Sequence, residues 1–212
     1  MDNKEKIIEK CIGNIEDRVL GVQNDLKAFL YIRKNNLQHK KDDIGGGNMV
    51  VALSLFTCLN FLGKIYDCAE RPSEFYANNG RAKNETVTFI HFMRFIQKRG
   101  IDLNLPADGD VLTLVWSGFR DHLAHRLTVE PGKSVITFTY NPNEDGSIND
   151  MLVKAKKDKV FEHDGNSRNW RVNGDSLHAY LPDIVNTTTE FLRNREDVDT
   201  DLLLKVIGVE YP

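Results

Sequence analysis

From Lys4 to about Asn36 the chain runs without a proline, and apolar residues recur at Ile8, Cys11, Ile12, Ile15, Val19, Val22, Leu26, Phe29 and Leu30 with charges between them. Spacings of three and four predict one long amphipathic helix. Such a helix gains most of its stability from tertiary packing of its apolar stripe, so the rest of the chain must supply elements to cover it.

The sequence continues in kind. "KKDDIGGG" interrupts the pattern, and a second, more apolar helix is predicted from about Asn48 to Ala69, ending before "RPSEFYANNG". The glycines Gly45 to Gly47 have neither a following GK[ST] nor a preceding strand, so they mark a hinge or a close backbone approach, not a phosphate loop. A third helix, about Glu85 to Arg99, carries Val87, Ile90, Phe92, Met93, Phe95 and Ile96. "RGIDLNLPADGD" joins it to a fourth from about Val111 to Leu127. Short connections between such helices predict an up-and-down bundle.

Beyond Leu127 the period changes. "SVITFTY" (Ser134 to Tyr140) and "INDMLVKA" (Ile148 to Ala155) flank the turn-rich "NPNEDGS", and "KVFEH" and "RNWRV" flank "DGNS". Alternation around turn residues predicts two hairpins forming one small antiparallel meander. A fifth helix is expected from about Ser176 to Arg195, with Asn173 or Asp175 as its cap, and "DLLLKVIGV" in the tail is expected to pack back. The predicted fold is therefore mainly α: a bundle of about five helices with a small antiparallel β-hairpin insertion before the last long helix.

The length of 212 residues and an apolar content of 41% are enough for one well-buried domain. A net charge of −3 gives no global basic field, so a nucleic acid would have to meet a local patch. Cys11, Cys58 and Cys68 are odd in number, lack CxxC spacing and fall in apolar helical patterns, which reads as reduced core thiols and a cytoplasmic protein. "MDNKEKIIEK" has charge where an export signal would be apolar, and Ser54, Thr57 and Asn60 interrupt the most apolar run. Neither an export signal nor a membrane span is expected.

"FRDHLAHRL", Phe119 to Leu127, concentrates chemistry on the fourth helix. At 100° per residue Leu112, Trp116, Phe119, Leu123 and Leu127 share one stripe, which faces the core. Asp121 and His125 then point away from it, with Arg120 and His122 on its flanks. One helical turn apart, the Asp121 carboxylate can fix the His125 tautomer and raise its affinity for a proton, which suits proton transfer. The planar fork of Arg120 suits a phosphodiester or a phosphorane-like transition state. Ser117, Gly118 and Ala124 are small and would let a second copy of the helix approach across a twofold axis, bringing two Arg/His sets into one cleft. The same residues also suit a solvated face carrying an ordinary i,i+4 pair.

Arg120 to His125 form an R-x4-H motif with a polar residue after the arginine, on the late helix of a predicted bundle. In this the chain resembles the HEPN superfamily (higher eukaryotes and prokaryotes nucleotide-binding domain). The resemblance makes residues 1–212 a single HEPN-like domain: bundle about 4–127 and 176–195, hairpin insertion about 134–173, and tail 197–212. It implies a metal-independent endoribonuclease in which the RNA 2′-hydroxyl attacks the adjacent phosphate in a cleft shared by two protomers. Arg120 would hold or stabilise the scissile phosphate, His125 would transfer a proton or contact that phosphate, Asp121 would orient both, and His122 would be auxiliary. A toxin-antitoxin or phage-defence setting follows, with RNA, a homodimer and an antitoxin or other protein as partners. Members that pair with a nucleotidyltransferase antitoxin often carry a tyrosine two residues after the histidine, where this chain has Leu127. The alternative within the family is a noncatalytic nucleic-acid or nucleotide-binding or protein-assembly module.

Other constellations are weaker. His122 and His125 form HxxH, with His163 the remaining candidate ligand, but there is no HExxH and no cysteine pair, so neither a metal nor another cofactor is expected. No G-x-S-x-G is present for a nucleophile. Lys154, Lys156, Lys157 and Lys159 link the two expected hairpins, and Arg168 and Arg171 flank Trp170. This basic stretch with an aromatic is a candidate nucleic-acid-binding surface, or else a charged edge that discourages strand-to-strand association. His91 and Arg94 have no evident partner and are read as surface or boundary residues.

Overall fold

The computed structural model describes residues 3–36, 47–76, 81–113, 115–117, 134–137, 147–163 and 170–209. The fold is mainly α. The long helix α1 spans Asn3–Asn36, and Ile8, Cys11, Ile12, Ile15, Val19 and Leu26 of the expected stripe are buried. Helix α2 spans Gly47–Glu70, followed by the short α3 (Ser73–Tyr76) inside the segment expected to be loop. Helix α4 covers Glu85–Lys98, where Asn84 accepts from the Thr86 and Val87 amides and so satisfies two otherwise orphaned N–H groups. Residues 109–113 and 115–117 are helical (α5), with Leu112, Val115 and Trp116 buried.

The segment from Ser134 onward departs from the expected meander. Ser134–Thr137 is a strand, β1, but Ile148–Ala155 is a helix, α6. A capping box decides this: the Ser147 hydroxyl accepts from the Asp150 amide, and the Asp150 carboxylate accepts from the Ser147 amide. Leu152 and Ala155 then fall on one buried helical face, a spacing of three that short-range alternation had disguised. The second hairpin is present as β2 (Phe161–His163) and β3 (Trp170–Asn173), antiparallel and immediately before the last long helix. Its central strand β3 also takes β1 in parallel, giving the order β1-β3-β2. A parallel pair needs a long crossover, which the segment carrying α6 supplies.

Helix α7 spans Gly174–Arg193, and Asn173 is the cap: its side-chain oxygen accepts from the Asp175 and Ser176 amides, each at 3.1 Å. Because that cap is buried, Asn173→Ala is expected to lower stability by about 1–2 kcal/mol, seen as a lower urea midpoint with unchanged slope. The tail forms α8 (Thr200–Ile207), which buries Leu202, Leu203, Leu204 and Ile207 and ends at Gly208 with φ +72°. A left-handed residue there is the ordinary helix stop.

The chain divides into two compact units, and α1, α2 and α7 contribute to both. The first comprises Met1–Gly21, Cys58–Ile101 and Pro182–Pro212. Its interior includes Ile12, Leu59, Leu62, Phe89, Phe92 and Leu203, and the Arg18 guanidinium donates to the Ile207 carbonyl, holding the tail as expected. The second comprises Val22–Thr57 and Asp102–Leu181. Leu55, Trp116, Phe161, Leu177 and Leu181 fill it, with the Phe56 and Trp116 rings 6.4 Å apart. Asn104, at φ +53°, turns the chain so that its amide side chain donates to the Phe161 carbonyl at the start of β2.

Val50–Glu70 of α2 is the single stretch among the described residues long and apolar enough to cross a membrane. It is built as a core helix: Val51, Leu55, Leu59, Leu62 and Ile65 are buried in the protein, and so is the charged Asp67. The three cysteines are buried and free. Burial pushes the thiols of Cys11 and Cys58 up to about 11 and that of Cys68 to about 12, which leaves almost no thiolate at neutral pH.

Candidate functional site

Arg120, Asp121, His122 and His125 lie outside the described residues. What is described is the helix leading to them. Asp108 accepts from the Asp110 amide at 2.8 Å at the start of α5, and Leu112 and Trp116, the first two residues of the predicted apolar stripe, are 0% and 2% exposed. The phase of α5 therefore agrees with the assignment made from sequence up to residue 117.

The basic segment has a different setting from the one expected. Lys154 and Lys156 stand at the end of α6, and Lys157 and Lys159 in the turn after it; none of them joins two hairpins. Cations at a helix C-terminus compensate its partial negative charge. Helix α7 completes the same end: Ser176 donates its hydroxyl to the Ala155 carbonyl and Tyr180 to the Lys156 carbonyl, both at 2.8 Å. The Lys156 ammonium lies 5.8 Å from the centre of the Tyr180 ring, so part of the expected RNA-tracking charge serves the packing of α6 on α7. Lys154 and Lys157 are exposed. Arg168 is outside the described residues, while the register of β3 sets Arg171 opposite Glu162 and Trp170 opposite His163.

Among the described residues, the most concentrated polar chemistry is at Asp67, which sequence reasoning missed. Arg71, the residue just after α2, gives Nε to Asp67 Oδ1 at 2.7 Å and Nη2 to Oδ2 at 2.6 Å. Thr88 of α4 donates its hydroxyl to Oδ2 at 2.8 Å, and His91 Nδ1 stands 3.8 Å from Oδ1. The carboxylate is fully buried, while the His91 side chain is 44% exposed. Those hydrogen bonds hold the Arg71 guanidinium above its ordinary value. A second bridge, Lys64 to Glu85 at 2.7 Å, also joins α2 to α4. The available signal was "YDCAER", an aspartate and an arginine four apart at the end of an apolar helical run.

An arginine, a carboxylate and a histidine thus meet here, but their chemistry is spent differently from that of the Arg120 motif. Arg71 spends Nε and Nη2, the bidentate edge of its guanidinium, on Asp67. At 3.8 Å the imidazole is beyond hydrogen-bonding distance, so the carboxylate does not fix its tautomer. The arrangement is an internal clamp between two helices. His91 and Arg94 are exposed, as expected, although His91 has the neighbour that its sequence context did not reveal.

Among the described residues no group of three or more His, Cys, Asp or Glu side chains converges as a metal site would require. No family model matches the chain, and comparison with curated proteins and with solved structures likewise gives no match.

Proposed function

We propose that this chain is a metal-independent endoribonuclease of the HEPN type, working as a cytoplasmic homodimer. The observation that carries the reading is the motif itself, Arg120, Asp121 and His125 spaced one and four residues apart in the sequence, preceded by a helix whose first stripe residues Leu112 and Trp116 are buried. A helix in that phase would turn the motif away from its own core and toward a partner or substrate.

In the proposed reaction the RNA 2′-oxygen forms a bond to the adjacent phosphorus as the bond to the 5′-oxygen breaks. The 2′-hydroxyl proton passes to a base and the departing 5′-oxygen takes up a proton, leaving a 2′,3′-cyclic phosphate and a 5′-hydroxyl. His125 is assigned one of these transfers, Arg120 the charge on the phosphorus-bound oxygens, and Asp121 the orientation of His125. His122 is auxiliary, and the exposed Lys154 and Lys157 are assigned to the RNA backbone. A toxin-antitoxin or phage-defence role, with an antitoxin or other protein as partner, belongs to the same proposal.

Purified wild type is expected to cut labelled mixed RNA in EDTA, and His125→Ala and Arg120→Ala each to lose about 10²–10⁴-fold in rate while remaining folded and dimeric. A noncatalytic assembly module is the second reading, favoured by the exposure of Val50 and Leu53, 55% and 36%, on α2. It is supported instead if no RNA is cut and the substitutions change only self-association, measured by light scattering.

A further inference from the structure

A groove of about 390 Å³ in the first unit is lined by Arg99, Thr187, Glu190, Phe191, Asn194 and Arg195. Thr187, Glu190 and Phe191 are spaced three and one residues apart, so α7 presents them on one face, and Asn194 follows just past its end. Arg99 reaches the groove from the end of α4.

The two arginines are not equivalent. Arg195 is paired with Glu70 and Asp197, and its guanidinium lies 5.4 Å from the centre of the Phe191 ring. Its charge is compensated. Arg99 lies 5.4 Å from the centre of the Phe95 ring, and among the described residues no carboxylate pairs with it. Glu190 is exposed and has no ion-pair partner among the described residues; Arg193, whose charge it senses through space, is taken up by both carboxylate oxygens of Glu9.

Among the described residues, then, neither Arg99 nor Glu190 is taken up in an ion pair, with each other or with another side chain, although both line the groove. A simple anion would be drawn to Arg99 and repelled by Glu190, and a simple cation the reverse. A molecule with both charges satisfies both walls. Phe191 supplies an apolar surface, held firm by Tyr66 and Phe95, whose ring centres are 5.0 and 5.2 Å from its own. Thr187 and Asn194 add polar groups, and the volume is in the range of small-molecule sites.

We infer that this groove binds a small amine-carboxylate zwitterion bearing an apolar group, its carboxylate on Arg99, its ammonium on Glu190 and its apolar part against Phe191. The inference is independent of the ribonuclease proposal. It is tested by titrating the full chain with L-phenylalanine, 3-phenylpropionate and phenethylamine, using amide chemical shifts or calorimetry. L-Phenylalanine is expected to bind saturably, and each analogue lacking one charge at least tenfold more weakly. Arg99→Gln should weaken L-phenylalanine tenfold and abolish its advantage over phenethylamine; Glu190→Gln should abolish its advantage over 3-phenylpropionate. Both side chains are exposed, so the variants should fold, which circular dichroism checks. Absence of saturable L-phenylalanine binding, or binding indifferent to both substitutions, overturns the inference. Equally tight 3-phenylpropionate binding that survives Glu190→Gln also overturns it, by making the groove a plain anion site.

Discussion

Arg71→Leu is expected to lower stability by about 3 kcal/mol, read as a reduced urea midpoint at unchanged slope. The physical cause is what the substitution leaves behind. Asp67 is fully buried, and Arg71 supplies two of its three hydrogen bonds; without them a carboxylate charge faces the interior with only the Thr88 hydroxyl bonded to it. An uncompensated buried charge costs far more than a broken surface pair is worth. A second substitution separates lost charge pairing from lost packing. Asp67→Asn in the Arg71→Leu background removes the charge, keeps the side-chain shape and keeps an acceptor for Thr88, so it should recover at least half of the loss. If the double variant is no more stable than Arg71→Leu, the guanidinium acts through packing and the buried-charge explanation is wrong.

Between pH 6.5 and about 4 the fold should lose about 3 kcal/mol through His178 alone. His178 of α7 is buried in the second unit, and neither ring nitrogen has an aligned hydrogen bond. Burial is the main reason its imidazole is pushed down to about 4; the nearby Gln23 backbone carbonyl favours the charged form, and Lys27 opposes it. The unfolded chain takes up this proton near pH 6.5 and the folded chain only near 4. Across that window the unfolded state binds more protons, so acid favours unfolding. The contribution is complete above pH 6.5 and exhausted below about 4. His178→Leu removes the titration, and its unfolding free energy should fall less steeply than that of wild type over this window. Parallel pH curves for the two proteins would show that the imidazole is not held neutral by the fold.

Helical periodicity made most of the bundle legible. The stripe of α1 and the phase of α5 at Leu112 and Trp116 follow from spacing, because a long run of apolar residues at three and four has one helical solution. The segment Ile148–Ala155 was misread because in eight residues a period of two and a period of 3.6 are hard to separate, and the deciding capping box lies partly outside the run, at Ser147. The parallel pairing of β1 with β3 was not legible either, since nothing local to either strand specifies a partner that far along the chain. The Asp67 cluster divides in the same way. Its Asp67 and Arg71 half is local and visible in "YDCAER", whereas Thr88 and His91 join it only because α2 packs on α4. The Arg120 to His125 motif is legible only as a spacing in the sequence, since those residues lie outside the described ones.

The most direct test of the ribonuclease account is the chemistry of the RNA ends produced in EDTA by wild type, His125→Ala and Arg120→Ala. The account predicts 2′,3′-cyclic phosphate and 5′-hydroxyl ends from wild type, and their loss from both folded variants. Ends of any other kind, cleavage that requires an added metal, or cyclic-phosphate products that persist undiminished in both variants would contradict it.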